Sequence, residues 1–298
     1  MKIIFVAVFD NEGISSNNSQ AVGLAKSGNE VHIYSYRDRA IALGSNEERD
    51  QELISFCKKT NPDLMIFAKG SDISLEVFYQ CKLVTKVCYW FPDSLWAYTD
   101  KQEFVDMTTI SDYFCCDKEN VKDHGLKFNK NSYRVPDGYD PELEIPRDLE
   151  KRFDVSFIGS IYGDRKEKIE SVDAKVHVFS NAFGIKHSQI VSSSRVNLNF
   201  CTEQGASDRI YKIMAAGGLL LSDDWVGREE LFVDGEDLII FNSLDDLNSK
   251  IDFYLQNPNL SKKIANSGRD KVKKFSRYYW ADTVVKICND LFFAGNHE

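Results

Sequence analysis

What the 298-residue chain lacks excludes several chemistries. It has no GxxxxGK[ST] loop, and no GxGxxG follows the first apolar run, which argues against a P-loop NTPase and a Rossmann dehydrogenase. No GxSxG is present, so the nucleophile elbow of the α/β-hydrolases is missing. No DxD occurs and the five histidines are dispersed without ligand spacing, so no metal is expected. The seven cysteines are odd in number, scattered and without CxxC, which suggests neither a disulfide framework nor a zinc site. Most of them fall inside apolar runs, where a cysteine acts as a small hydrophobe. No apolar run approaches the ~20 residues that span a bilayer. Met1-Lys2 leads straight into a strand with no signal peptide, so the expected setting is a reducing cytoplasm. Positive charge is in the minority: 37 Lys and Arg against 46 Asp and Glu leave a net charge of −9. That argues against a broad nucleic-acid or anionic-membrane surface and leaves room only for a local basic groove.

The chain does contain a regular alternation of buried-type strands and helices. Hydrophobic residues make up 43% and charged residues 28%, a soluble globular balance, in a length that suits two domains. Lys2–Phe9 is a continuous β-branched and aromatic run, as expected of a buried parallel strand. Further strands are predicted over 30–35, 63–68, 85–91, 112–116 and 132–135, with helices over 19–26, 47–60, 75–81 and 118–124 between them. Such βαβ alternation predicts a parallel sheet with helices on both faces. A charged stretch holding Pro146 interrupts it, and residues 141–152 read as a linker. Alternation resumes at Phe153. Strands are predicted over 154–159, 175–180, 196–200 and 219–221, and helices over 165–172, 187–194, 208–216, 244–256, 258–275 and 277–293. The fold class is therefore α/β, two Rossmann-like doubly wound domains facing across a cleft. Residues 1–140 form the first domain and 153–275 the second, and 276–298 form a final helix.

In such folds ligands bind at the carboxyl ends of the strands, so four loops carry the candidate chemistry. In the first, Gly13, Ser15 and Asn17 belong to a donor-rich turn at a helix N-terminus, as readily a capped loop as an acceptor site. In the second, Asp93 follows the strand ending at Phe91, with Trp90, Trp96 and Tyr98 around it. Rings that pack on a sugar face beside a carboxylate that accepts from hydroxyls suit an acceptor; an aromatic cluster closing the sheet is the alternative. In the third, Gly159, Ser160 and Arg165 form a small-residue turn where backbone N–H groups reach phosphate oxygens and an arginine adds charge. In the fourth, Arg209 and Lys212 lie one turn apart on a helix that starts near Asp208, with Tyr211 counted on the same donor side. Two cations there would neutralise a diphosphate leaving group; a solvated basic face is the plainer reading.

The run RVNLNF…SDRIYKIMAAGGLLLSDDW…REELFVDGEDLIIF, the following LNSKIDFYLQNPNLSKKIANSGRDKV and the aromatic final helix resemble the C-terminal domain of group 1 glycosyltransferases of the GT-B fold. The branch most similar is the spore-maturation type. The resemblance extends to DVSFIGSIYGDR, to VPDGYDP and more loosely to YWFPDS. It implies a metal-independent transferase whose nucleotide-diphosphate sugar, a UDP-sugar foremost, serves as co-substrate with no other cofactor. It further implies donor binding in the C-terminal domain, the acceptor on the N-terminal side and a final helix that crosses back. Gly159 and Arg165 would lie by the diphosphate, Arg209 would match the arginine that faces the donor, and Gly217 the glycine of the Ala-Ala-Gly turn. Where many relatives hold a ribose-binding glutamate this chain has Lys212, and an earlier glutamate falls at Gln204.

The leading expectation is transfer from that donor, held by Arg165, Arg209 and Lys212, to an acceptor hydroxyl near Asp93, which acts as base or orients the acceptor. Arg209 and Lys212 are counted with Asp93 as catalytic. The acceptor stays open between a glycan, a small molecule and a hydroxymethylated base in DNA. A nucleotide-sugar-binding protein without catalysis is the third reading.

Overall fold

The structure, a computed structural model, describes residues 1–10, 12, 14–93, 101–117, 126–201 and 205–294. The chain folds as two units, Met1–Asp137 with Arg277–Glu298, and Gly138–Ser276.

In the first unit the order is β1 (Lys2–Ala7), α1 (Ser16–Lys26), β2 (Glu30–Ser35), α2 (Tyr36–Leu43), α3 (Asn46–Thr60), β3 (Leu64–Ala68), α4 (Leu75–Lys82), β4 (Lys86–Phe91), α5 (Gln102–Ile110), β5 (Tyr113–Cys116), α6 (Leu126–Phe128) and β6 (Ser132–Arg134). The second unit runs β7 (Phe153–Ile158), α7 (Arg165–Glu170), β8 (Val176–Phe179), α8 (Gly184–Ser193), β9 (Ser194–Asn199), α9 (Asp208–Ala215), β10 (Leu220–Asp223), β11 (Ile239–Phe241), α10 (Leu244–Gln256) and α11 (Pro258–Val272). The chain then returns to the first unit as α12 (Arg277–Phe292).

Among the described residues the first sheet has six strands in the order β2-β1-β3-β4-β5-β6, the second five in the order β11-β10-β9-β7-β8. Every pairing is parallel. Counted within its own unit, the second sheet repeats the 2-1-3-4-5 order of the first. This is the doubly wound plan expected from the βαβ alternation, with a switch point between β1 and β3 in one unit and between β7 and β9 in the other.

Burial explains why the central strands are so apolar. β1 and β3 are covered on both faces, and successive residues of β4 enter different cores. Tyr89 and Phe91 pack with Phe78 and Phe104 on one face; Cys88 and Trp90 pack beneath α12 on the other. Trp280 of α12 lies 5.9 Å from Phe5 and 5.4 Å from Trp90, and Tyr113 Oη donates to Val284 O at 3.1 Å, so the last helix is part of the first unit's core.

Several boundaries depart from the sequence reading. Helix α1 starts at Ser16 rather than Ser19, because Ser15 is extended and its hydroxyl accepts from the Asn18 N–H. Helices α2 and α5 were not foreseen. Helix α2 buries only Tyr36 and thus lacks an apolar stripe; it ends at Gly44 in the left-handed conformation. Helix α8 begins at Gly184 rather than His187. The helix expected over 118–124 lies outside the described residues. Residues 141–152, expected as a linker, are tied to the second unit: Arg147 Nε donates to Ser188 Oγ at 2.8 Å, and Lys151 Nζ donates to the carbonyls of Ser192 and Ser194 at 2.8 and 2.7 Å.

Candidate active site

At the β7/β9 switch point the carboxyl ends of two strands diverge, and the loops after them bring Gly159, Arg165 and Arg209 together. The Arg209 guanidinium lies 4.9 Å from the Phe157 ring centroid, and its Nη1 donates to Asn199 Oδ1 at 2.8 Å. A Cβ on Gly159 would stand 2.4 Å from Arg209 Nη2, so the glycine makes the notch in which the guanidinium rests. The sequence reading gave Gly159 to phosphate, but its N–H donates to Phe179 O at 2.9 Å across the sheet. Its small size serves Arg209 instead.

Arg165 is 3% exposed. Its Nη1 donates to Ser160 O at 3.2 Å and its Nη2 to Phe200 O at 3.1 Å, and the guanidinium stacks over the Tyr162 ring at 4.1 Å. It thereby ties the loops after β7 and β9 to one another while holding positive charge behind them. Ser160 itself is exposed. Burial, and then the nearby Arg165 guanidinium, hold the pKa of Arg209 below the ordinary arginine value. Among the described residues no carboxylate forms an ion pair with Arg209, so its charge is open to an anion.

Helix α9 adds to that field. Its N-cap is Ser207 rather than Asp208, and Ser207 makes no side-chain cap because its hydroxyl donates to Asn199 Oδ1 at 3.1 Å. The first-turn N–H groups of α9 therefore gain no hydroxyl acceptor there, and the positive end of the helix dipole lies beside Arg209.

Other residues of this stretch have structural duties that the sequence reading did not give them. Lys212 is already paired: its ammonium is 2.6 Å from Asp208 and 3.8 Å from Glu144, so two carboxylates balance it. Tyr211 is 0% exposed and packs against Phe232 and Phe275. Its place on the inner stripe of an amphipathic helix puts it in the core. Gly217 adopts φ +74 just past α9 and faces Pro146, which makes it a helix stop. His187 is buried with neither ring nitrogen hydrogen-bonded, and burial followed by the charge of Lys212 pushes its pKa down to about 3. It is a neutral packing group. Burial, then Asp223, push the Cys201 thiol up to about 12, which removes it as a nucleophile at neutral pH.

The first unit's switch point has a different character. Asp10, after β1, accepts from the N–H groups of Ile14 at 3.2 Å and Ser15 at 2.7 Å. Burial alone would raise its pKa; these hydrogen bonds outweigh it and the net shift is downward. Ser15 caps α1, and Asn17 Nδ2 donates to Val8 O at 2.7 Å, so both predicted acceptor side chains are occupied in shaping the loop. Asp93 lies just past β4 and forms a 2.5 Å ion pair with Lys69. Lys69 has φ +62, a conformation costing roughly 1 kcal/mol for a residue with a side chain; its N–H bonds Trp90 O at 2.9 Å. Trp90 is 1% exposed, under α12, and is a core residue rather than an acceptor platform. Gly13, Trp96 and Tyr98 lie outside the described residues.

Three residues that no motif marked thus enter the site: Asn199, Ser207 and Lys69. The signal for Asn199 was present, since Asn197 and Asn199 stand two apart in an otherwise apolar strand. A buried amide needs partners there and is therefore informative.

No curated protein matches the chain in sequence. Residues 144–289, just under half of the chain, match the family model Glyco_trans_1_2, described as glycosyl transferase-like. Among solved structures, HepE of Anabaena in complex with UDP and glucose is similar with a TM-score of 0.72 and 11% identity, over 98% of this chain and 100% of that one. Sucrose-phosphate synthase of Thermosynechococcus elongatus matches with a TM-score of 0.67 and 13% identity, over 98% and 99%. A DNA-modifying β-glucosyltransferase matches with a TM-score of 0.63 and 16% identity, over 97% and 100%. At these identities the likeness is one of fold, shared by transferases that act on different acceptors. The second half of the chain thus matches the glycosyl transferase-like family model, and the chain is similar in fold to glycosyltransferases such as these.

Proposed function

We propose that the β7/β9 switch point binds the diphosphate of a UDP-sugar and that the sugar is passed to an acceptor hydroxyl recognised by the first unit. The observation that carries this reading is Arg209: a half-buried guanidinium beside a helix N-terminus, with no carboxylate partner among the described residues. A partly desolvated cation in that state is stabilised when an anion completes it. A diphosphate leaving group develops charge as the glycosidic bond to it breaks, and a preorganised guanidinium with helix N–H groups stabilises that charge. Arg165 reinforces the field from behind, and Ser160, on the exposed loop, is placed to meet the donor. Lys212, held by Asp208 and Glu144, and buried Tyr211 are left out of the donor contacts.

On the acceptor side Asp93 is the proposed base or orienting group, with Lys69 holding its carboxylate in place until an acceptor arrives. Charge compensation by arginine supports transfer without a metal, and activity retained in EDTA tests that part. Crystals of HepE with UDP-glucose support uridine as the base, and the C-terminal motifs support the spore-maturation-type branch. The fold does not favour DNA over other acceptors, and the net charge of −9 speaks against a duplex. The absence of a helix long and apolar enough to cross a membrane among the described residues is compatible with the expected cytoplasmic setting.

Thermal denaturation across UDP, GDP, ADP and their glucose conjugates tests the proposal. A ligand at 100 times its Kd stabilises by about 2.7 kcal/mol, so UDP and UDP-sugars should raise the melting temperature well above the other nucleotides. No shift with any nucleotide would remove the donor assignment.

A further inference from the structure

We infer that Asn199 is the positioning residue for Arg209, a role that rests on the donor reading above. Its side chain is wholly buried at the carboxyl end of β9. Strand register pairs it with Ser222 of β10. Its Nδ2 donates to Ser222 Oγ at 2.9 Å and to Cys201 Sγ at 3.3 Å, and Ser222 Oγ donates onward to Asp223 O at 2.8 Å. These contacts hold the nitrogen toward β10 and turn Oδ1 toward α9. There Oδ1 receives two donors, Arg209 Nη1 at 2.8 Å and Ser207 Oγ at 3.1 Å.

The choice of an amide is what matters. A carboxylate at this point would hold Arg209 as well, and would cancel its charge. The amide oxygen fixes the guanidinium in the notch of Gly159 and leaves the net positive charge for an anion. Asn199 also draws the Ser207 hydroxyl away from the α9 cap, so one side chain orients the cation and denies the helix N-terminus its hydroxyl acceptor. Asn199 touches no substrate; it acts through Arg209 and α9.

The test is a double-mutant cycle on the full chain, read by UDP affinity and by kcat and KM separately for donor hydrolysis. Asn199→Ala is expected to weaken UDP binding and raise donor KM about tenfold or more, the usual scale for loss of a hydrogen bond to a charged group. Asn199→Asp, nearly isosteric, is expected to lose about as much UDP affinity as Arg209→Ala, through charge cancellation rather than loss of fold. In Arg209→Ala the further change Asn199→Ala should cost almost nothing more. Circular dichroism and melting temperature check that each variant folds. Should Asn199→Ala unfold, Asn199→Asp and Ser207→Ala carry the test, the latter with a smaller KM increase. Independent, multiplying losses in the double variant would overturn the role, as would wild-type UDP affinity in both Asn199 variants. If Arg209→Ala itself binds UDP normally, the donor reading fails; if Arg209→Ala loses UDP and Asn199→Asp does not, only the role of Asn199 fails.

Discussion

The two units repeat one strand order, yet the loops at their strand ends are organised by side chains of opposite charge. Between β7 and β9, Arg165 and Arg209 meet with an amide where a balancing carboxylate would ordinarily stand. Between β1 and β3 the loop is organised by the Asp10 carboxylate, and beyond β4 the carboxylate of Asp93 is paired with Lys69. Identical topology thus supplies two crevices, and under the proposed function a few loop residues decide which accepts an anion. The sheet fixes where ligands bind; the polar side chains at strand ends fix what binds.

Substitutions at each switch point can break this contrast. The largest effect is expected from Asp93→Asn, with transfer to an acceptor falling roughly 10²- to 10⁴-fold while UDP affinity stays at the wild-type value. Parallel assays of transfer and of UDP binding check it, and equal loss in both would place Asp93 on the donor side. Arg209→Ala should lower kcat/KM by about 10²- to 10³-fold and remove the thermal shift with UDP. Steady-state kinetics at wild-type turnover would refute the cationic role. Gly159→Ala places a methyl against Arg209 Nη2 and should weaken the donor about tenfold, by displacing a guanidinium held by a charge-assisted hydrogen bond. Isothermal titration with UDP measures this, and an unchanged Kd would mean the guanidinium can shift freely.

A last effect, on stability rather than activity, is spread over several pH units. His187 is neutral in the folded state with a pKa of about 3, whereas the unfolded imidazole takes up a proton below about 6.5. The unfolded state therefore binds more protons between these values, so stability is complete above pH 6.5 and declines as pH falls toward 3. Relative to a His187→Leu variant, wild-type stability should fall by about 1.4 kcal/mol per pH unit across the acid range. Urea melts of both proteins at several pH values check the slope, and parallel lines would show that His187 does not titrate on unfolding.

Much of the fold was legible because the signals are local. The apolar run from Lys2, the Gly217-Gly218 stop and the Pro258 helix start each carry their meaning in a few neighbouring residues. Helix α2 was missed because YRDRAIAL buries a single residue and so leaves no stripe to read. Within the site, Arg209 was legible as a cation in the first turn of a helix. Lys212 was not, because the carboxylate of Glu144 that helps balance it is contributed from 68 positions earlier. Trp90 and Tyr211 were misplaced for a related reason. An aromatic ring next to a strand end or a site helix serves a ligand or the core according to which face is covered, and α12 covers Trp90 from the far end of the chain.

Periodicity and turn chemistry were enough to establish two parallel α/β halves, the loops where chemistry would lie, and an arginine at the head of α9. Those properties depend on backbone preferences and on the spacing of apolar side chains, which act over a turn or a strand. Which charges remain free was settled by register and packing. The pairing of Asn199 with Ser222, the closeness of Gly159 to Arg209 and the capture of Lys212 by two carboxylates exist only once distant segments are brought within hydrogen-bonding range.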